Sequence, residues 1–171
     1  MPKGKDAMSA GVIEHLQRVE VFAGLNDEEL HLVAAICKPL RLAAGHVIFE
    51  EGADGDELMI IIDGCVRISL NTRSPQGNMA ATTINMLYPG QSFGEMVLLG
   101  GATRSATVTC VGACALLTIR EHDFATICEQ NPRIGYRVMR NMASDLVYKL
   151  RSSNLLLRGN IRWQQGELGK R

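Results

Sequence analysis

The sequence predicts a mainly β chain with flanking helices: an antiparallel sandwich or jelly roll between an N-terminal helical pair and a long C-terminal helix. Three observations carry this. Residues 41–120 hold short apolar runs punctuated by Gly45, Gly52, Gly55, Gly64, Gly77, Gly90 and Gly112. On either side of that stretch, apolar residues recur at helical spacing instead. Pro39 and Pro132 fall where one pattern gives way to another.

The elements follow in order. Met8 to Val19 reads as a helix, with Val12, Ile13, Leu16 and Val19 on one side. A turn over Val21–Leu25 leads to a second helix. Asn26 is its N-cap, Glu29 stands at the capping-box position, and it runs to about Cys37. The predicted strands are Val47–Phe49, Leu58–Ile62, Val66–Leu70, Thr82–Leu87, Ala106–Val111 and Ala115–Ile119. Asp63-Gly64 is a hairpin signal, and Pro89-Gly90 is a turn that uses the freedom of glycine. A short helix, Glu121–Cys128, precedes Asn131-Pro132, and a longer one runs from about Arg133 to Leu157. Val138, Met142, Leu146 and Leu150 form one stripe along it. The expected organisation is a single domain over 1–171: N-terminal helices 8–38, β region 41–120, hinge and C-terminal helix 121–158, and a flexible tail 159–171 carrying Gly159, Gly166 and Gly169.

Composition narrows the function. The chain has 171 residues, with 18 basic and 18 acidic side chains, so net charge does not mark a nucleic-acid or membrane surface. Five cysteines, Cys37, Cys65, Cys110, Cys114 and Cys128, sit mostly in apolar runs without a C-x-x-C, which suits a reducing cytoplasm. The first residues lack the apolar run of a signal peptide, and no segment approaches the roughly 20 apolar residues of a membrane span. Met1 and the polar ending fit a complete chain. His15, His31, His46 and His122 are dispersed, so no metal site is expected, and the alternation of Cys65, Cys110 and Cys114 favours core packing over haem ligation. No nucleophile elbow, Walker loop or Cys–His nucleophile pattern occurs, so no enzyme is expected.

The chemistry concentrates in Phe93-Gly94-Glu95-Met96-Val97-Leu98-Leu99-Gly100-Gly101-Ala102-Thr103-Arg104-Ser105-Ala106-Thr107. Gly94 lets backbone approach a ligand closely, at the start of a short helix. Arg104 presents a fork suited to phosphate, and Ser105 adds a hydroxyl donor. Glu95 is out of place in a pure anion site. It makes sense as an acceptor for a sugar hydroxyl beside the phosphate.

Phe93-Gly94-Glu95, with Arg104 nine residues after the Glu and Ser105-Ala106-Thr107 following, resembles the phosphate-binding cassette of cyclic nucleotide-binding domains. Such domains occur in catabolite-activator-type regulators, in regulatory subunits of cAMP-dependent kinase and in cyclic-nucleotide-gated channels. Val21–Leu25, Ala44–Phe49 and Gly52–Gly64 also look like that family's entry helix, first strand and glycine turns, so the resemblance covers about Leu16 to Leu157. It implies a jelly roll (double-stranded β-helix) that senses a ligand, cAMP in preference to cGMP. By that resemblance Gly94 and Glu95 take the ribose 2′-hydroxyl. Arg104, Ser105 and nearby N–H groups take the phosphate. Phe93, Met96, Val97 and Ala106 complete the cassette. Ile84, Asn85, Leu146 and Lys149 fall where relatives line the base. Two departures stand out: Val97 replaces a small residue and would crowd the cassette, and Thr103 replaces Pro or Val. Lys149 and Leu150 also stand where activator-type proteins place hydroxyl residues that contact adenine.

Plainer readings stand beside these. Arg104 would serve as a structural ion pair, Ser105 as a strand residue and Lys149 as a solvated cation. The stripe from Val138 to Leu150 would either cover the sandwich or, by analogy with activator-type proteins, form a homodimer. The expected mechanism is a population shift, in which ligand draws in the cassette and moves the C-terminal helices against an unidentified effector protein. Fourteen residues follow Leu157, too few for a helix-turn-helix, so direct DNA binding by this chain is not expected. Three readings remain: a free-standing sensor, the sensor half of a DNA-binding regulator, or a non-binding scaffold on the same fold.

Overall fold

Among the described residues, eight strands form two four-stranded antiparallel sheets. The structure is a computed structural model and describes residues 11–73, 79–101 and 103–168. The strands are β1 (Lys38–Leu42), β2 (Val47–Phe49), β3 (Glu57–Asp63), β4 (Val66–Arg73), β5 (Met79–Leu87), β6 (Ser92–Phe93), β7 (Thr107–Cys110) and β8 (Cys114–Arg120). One sheet runs β1-β8-β3-β6 and the other β2-β7-β4-β5. Helix α1 covers residues 11–17, and residues 8–10 of the expected helix lie outside the described residues, as does Gly77. Helices α2 (Asp27–Ile36), α3 (Glu121–Gln130) and α4 (Pro132–Leu168) complete the jelly roll and its flanks.

The apolar runs are continuous because two strands are buried on both faces. Met59 and Ile61 of β3 and Cys114 and Leu116 of β8 point between the sheets, with Val66, Phe93 and Val108. Their neighbours Leu58, Ile60, Leu117 and Ile119 point outward into a second core, closed by Leu16, Phe22, Val33, Phe124, Ile134, Val138 and Met142 from the helices. The first core joins the sheets, and the second ties the helices to one of them. Helix α2 starts as its sequence predicts. Glu29 N–H donates to Asn26 Oδ1 at 2.9 Å, and Asn26 N–H donates to Glu29 Oε2 at 2.8 Å.

Four expectations need correction. Asp63-Gly64 joins strands of different sheets and is not a hairpin turn. Gly64 has φ of 85°, and a Cβ there would lie 2.4 Å from Ala113 O, so this corner is packed backbone to backbone. The β region begins at Lys38 rather than residue 41, because Pro39 sits in edge strand β1, where a missing N–H is tolerated. The last helix passes its expected end at Leu157: α4 continues to Leu168. Gly159 and Gly166 each cost about 1 kcal/mol against alanine, but no proline stops the helix. Residues 169–171 lie outside the described residues. Finally, the α4 stripe divides. Val138 and Met142 are buried in the helical core, Leu146 is half-buried, and Leu150 is 62% exposed.

α4 is held to the N-terminal segment by polar contacts as well. Asn141 Nδ2 donates to Val21 O at 3.1 Å and Ala23 O at 2.9 Å. Arg133 pairs with Glu29, whose carboxyl is held below its usual range first by that hydrogen bond. With 37 residues, α4 is about 55 Å long, and Ile134, Val138 and Met142 of its first turns are buried against the domain. No helix among the described residues is long and apolar enough to cross a membrane.

Candidate ligand site

The site is built on the turn between β6 and β7. Phe93 ends β6, and Gly94 enters the left-handed region at φ 77°. A 3-10 helix, Glu95–Leu99, follows and is closed by Gly100 at φ 88°. The chain then returns beside the residue 52–54 turn. Arg104 N–H donates to Ala53 O and Gly52 N–H to Arg104 O, both at 2.8 Å, and Thr103 bridges Asp54. These bonds fix the Arg104 backbone between two glycine-bearing turns.

The Arg104 side chain is 6% exposed. Its Nη1 donates to Glu57 O at 3.0 Å and, more weakly, to Gly94 O at 3.4 Å. The guanidinium carbon lies 4.2 Å from the centre of the Phe49 ring, which tilts against Phe93. Arg104 Nε is buried without a partner, and no carboxylate among the described residues forms an ion pair with this guanidinium. Burial pushes its pKa down, against the opposing charges of Glu57 and Asp56. Two glycines make the room. A Cβ at Gly55 would lie 2.2 Å from Nε and 2.5 Å from Nη2, and one at Gly94 would lie 2.6 Å from Nη1. A buried cation without a counter-ion costs several kcal/mol. An anion would relieve that cost.

Glu95 is engaged from α4. Its carboxylate is 14% exposed and accepts from Lys149 Nζ at 2.9 Å. Lys149 also pairs with Asp145 at 2.7 Å, one helical turn earlier on α4. Partial burial lowers the lysine pKa, but its hydrogen bonds to Asp145 and Glu95 and their charges raise it further, to a net value above the usual range. A cleft of about 260 Å³ beside the cassette is lined by Gly55, Asp56, Val97, Gly100, Gly101 and Glu121. Its two carboxylates are the wrong sign for a phosphate.

The structure therefore brings Gly94, Glu95, Arg104 and Lys149 together. Met96 and Ser105 are exposed beside them, while Val97 and Ala106 are buried beneath. Phe93 is buried in the sandwich core and backs Phe49 rather than opening to a ligand. Ile84 and Asn85 lie exposed on edge strand β5, where the register skips Ile84 and Asn85 Oδ1 accepts from Met86 N–H. Leu146 faces neither core nor open solvent. Phe49, Gly55 and Asp145 were not foreseen as site residues. Phe49 and Gly55 meet Arg104 from far along the chain, with the Gly52–Gly55 turn as the local signal, whereas Asp145 stands four residues before Lys149, a helical pairing that the sequence also offered.

Residues 39–131 match the family model described as cyclic nucleotide-binding domain, over half of the chain. The chain belongs to this family. Glutaminase 1 of Bradyrhizobium diazoefficiens is 36% identical over 134 residues, spanning 78% of this chain and 20% of that protein. The cyclic AMP receptor protein of Thermus thermophilus is 31% identical over 137 residues, 80% of this chain and 60% of that one. Among solved structures, the regulatory domain of Toxoplasma gondii PKA with cAMP superposes with a TM-score of 0.63 at 28% identity, covering 71% of this chain and 45% of that one. The chain thus spans a fifth to about three fifths of these two curated relatives. The family's jelly roll is the fold found here, and a cyclic nucleotide-binding regulatory domain is its common description.

Proposed function

We propose that this domain binds cAMP in preference to cGMP and transmits occupancy through α4 to a partner. It senses rather than turns over its ligand. The observation that carries the reading is Arg104: a buried guanidinium, seated on Phe49 between two glycines, with no carboxylate partner and a free Nε. The preference for cAMP rests on the relatives named for it.

In this reading Arg104 and Ser105 take the cyclic phosphate and Gly94 and Glu95 the ribose hydroxyl. Ile84, Asn85 and Leu146 lie toward the base, and Lys149 reaches Glu95. Arg104 Nε is shut off from solvent, so an anion reaches it only when the cassette or the residue 52–55 turn shifts. Binding and movement are then one event, and the ligand favours the shifted state by its differential affinity. α4 carries that shift outward.

The exposed α4 residues Tyr136, Val147 and Leu150 suit a homodimer. From Ala143 the spacing 143, 147, 150, 154 is a heptad seam, and the sequence continues it with Leu157 and Ile161. Asn154 would stand at an a position, which favours two parallel strands in one register. Five unpaired cysteines suit a reducing cytoplasm. A sensor half of a longer DNA-binding regulator is the second reading, favoured by similarity to the CRP-like cAMP-activated global transcriptional regulator of Mycobacterium tuberculosis, 58% of which the chain spans.

Calorimetric titration with cAMP, cGMP and linear AMP tests the function. Saturable binding of a cyclic nucleotide, tighter for cAMP and much weaker for AMP, is expected. No binding by nucleotide-free, folded protein would move the function to a non-binding scaffold.

A further inference from the structure

Glu95 is a carboxylate placed beside an anion-binding arginine, and an uncompensated like charge there would repel a phosphate. The structure supplies the compensation from 54 residues away. Lys149 Nζ sits 2.9 Å from Glu95 Oε1, and Asp145 holds the same ammonium at 2.7 Å from its own helix. No other side chain among the described residues hydrogen-bonds Glu95. A carboxylate has about four acceptor positions, so Oε2 stays available to a neutral hydroxyl while Oε1 holds the lysine. Lys149 and the ribose would therefore share Glu95 rather than exclude one another.

We propose that Lys149 is a positioning residue of the ligand site: the counter-ion that neutralises and orients Glu95 and, in doing so, tethers α4 to the cassette. This rests on the reading of Glu95 as the ribose acceptor. Asp145 belongs to the same device, since it fixes the lysine in a reach that an unsupported, half-exposed side chain would sample only part of the time. Cassette movement is then passed to α4 at its midpoint, beyond the last residues buried in the helical core.

A double-mutant cycle tests the proposal by cAMP titration of the wild type, Lys149→Met, Glu95→Gln and the double variant. Lys149→Met is expected to weaken cAMP about two- to fivefold, the worth of a partly exposed ion pair. It should have no further effect once Glu95→Gln is present, and Lys149→Arg should restore binding. Equal losses in both backgrounds would mean that Lys149 touches the nucleotide itself, and tighter binding would mean that it competes; either overturns the proposal. Amide hydrogen exchange without nucleotide supplies an independent readout. Lys149→Met and Glu95→Gln should each speed exchange in residues 95–99 and 143–150, and unchanged exchange overturns the tether. If the wild type binds no cyclic nucleotide while exchange still accelerates, the ribose reading fails and the tether stands.

Discussion

Replacing Arg104 by methionine should separate stability from binding. In the ligand-free protein the guanidinium gains one good charge-assisted hydrogen bond, to Glu57 O at 3.0 Å, and a seat on Phe49 at 4.2 Å. Such a bond contributes about 1.5–3 kcal/mol and the stacking about 0.5–2 kcal/mol. Against them stands the burial of an ion with an unpartnered Nε, which costs several kcal/mol. The terms nearly cancel, so a methionine of similar length should leave stability to urea within about 1 kcal/mol of wild type, or raise it. Nucleotide binding should fall by about 2–5 kcal/mol, as when one partner of a buried charged pair is lost. That is a loss of about 30-fold to several thousand-fold in affinity by calorimetry. Destabilisation beyond about 3 kcal/mol would mark Arg104 as a structural ion instead. Unchanged affinity would remove it from the phosphate site.

The other predictions concern the glycines, the helix and the thiols. Gly55→Ala puts a methyl 2.2 Å from Arg104 Nε, so the guanidinium must leave Phe49; cAMP affinity should fall at least about tenfold, with the midpoint of unfolding shifted by no more than about 1–3 kcal/mol. Retained affinity would show that the guanidinium position is not critical. Leu150→Asp should convert a dimer to a monomer in sedimentation, and a surviving dimer would place the interface elsewhere. Burial pushes the Cys37 and Cys110 thiols up to about 12. At pH 8 only about one in ten thousand of either is thiolate, so native protein should resist iodoacetamide at both positions over hours. Rapid labelling of Cys110 would show that the sheets open there.

Much of the fold was legible because its strands are apolar runs bounded by turn residues. β1 and β6 were not. β1 alternates Lys38, Pro39 and Arg41 with leucines on a sheet edge, and β6 is two residues long, below what any periodicity reveals. The Asp63-Gly64 turn has hairpin chemistry but a corner's role, which depends on where β8 lies. Gly94, Glu95 and Arg104 were singled out together because the segment that carries them resembles the family's phosphate-binding cassette, and the left-handed turn at Gly94 appeared only in the fold. Phe49 and Gly55 act on Arg104 through contacts that only the folded chain creates, whereas the Asp145–Lys149 pair is a spacing of four within one helix. The α4 stripe was visible as a stripe, but its division between core and open face depends on where the domain ends beneath it.

The central claim is that the Arg104 guanidinium is the phosphate-binding group. A crystal structure of the nucleotide-free protein soaked or grown with cAMP tests it most directly. The claim predicts phosphate oxygens within hydrogen-bond distance of Arg104 Nε or Nη2, with the residue 52–55 turn or the cassette displaced to admit them. A cAMP whose phosphate lies away from Arg104, with Nε still buried and unpartnered, would contradict it.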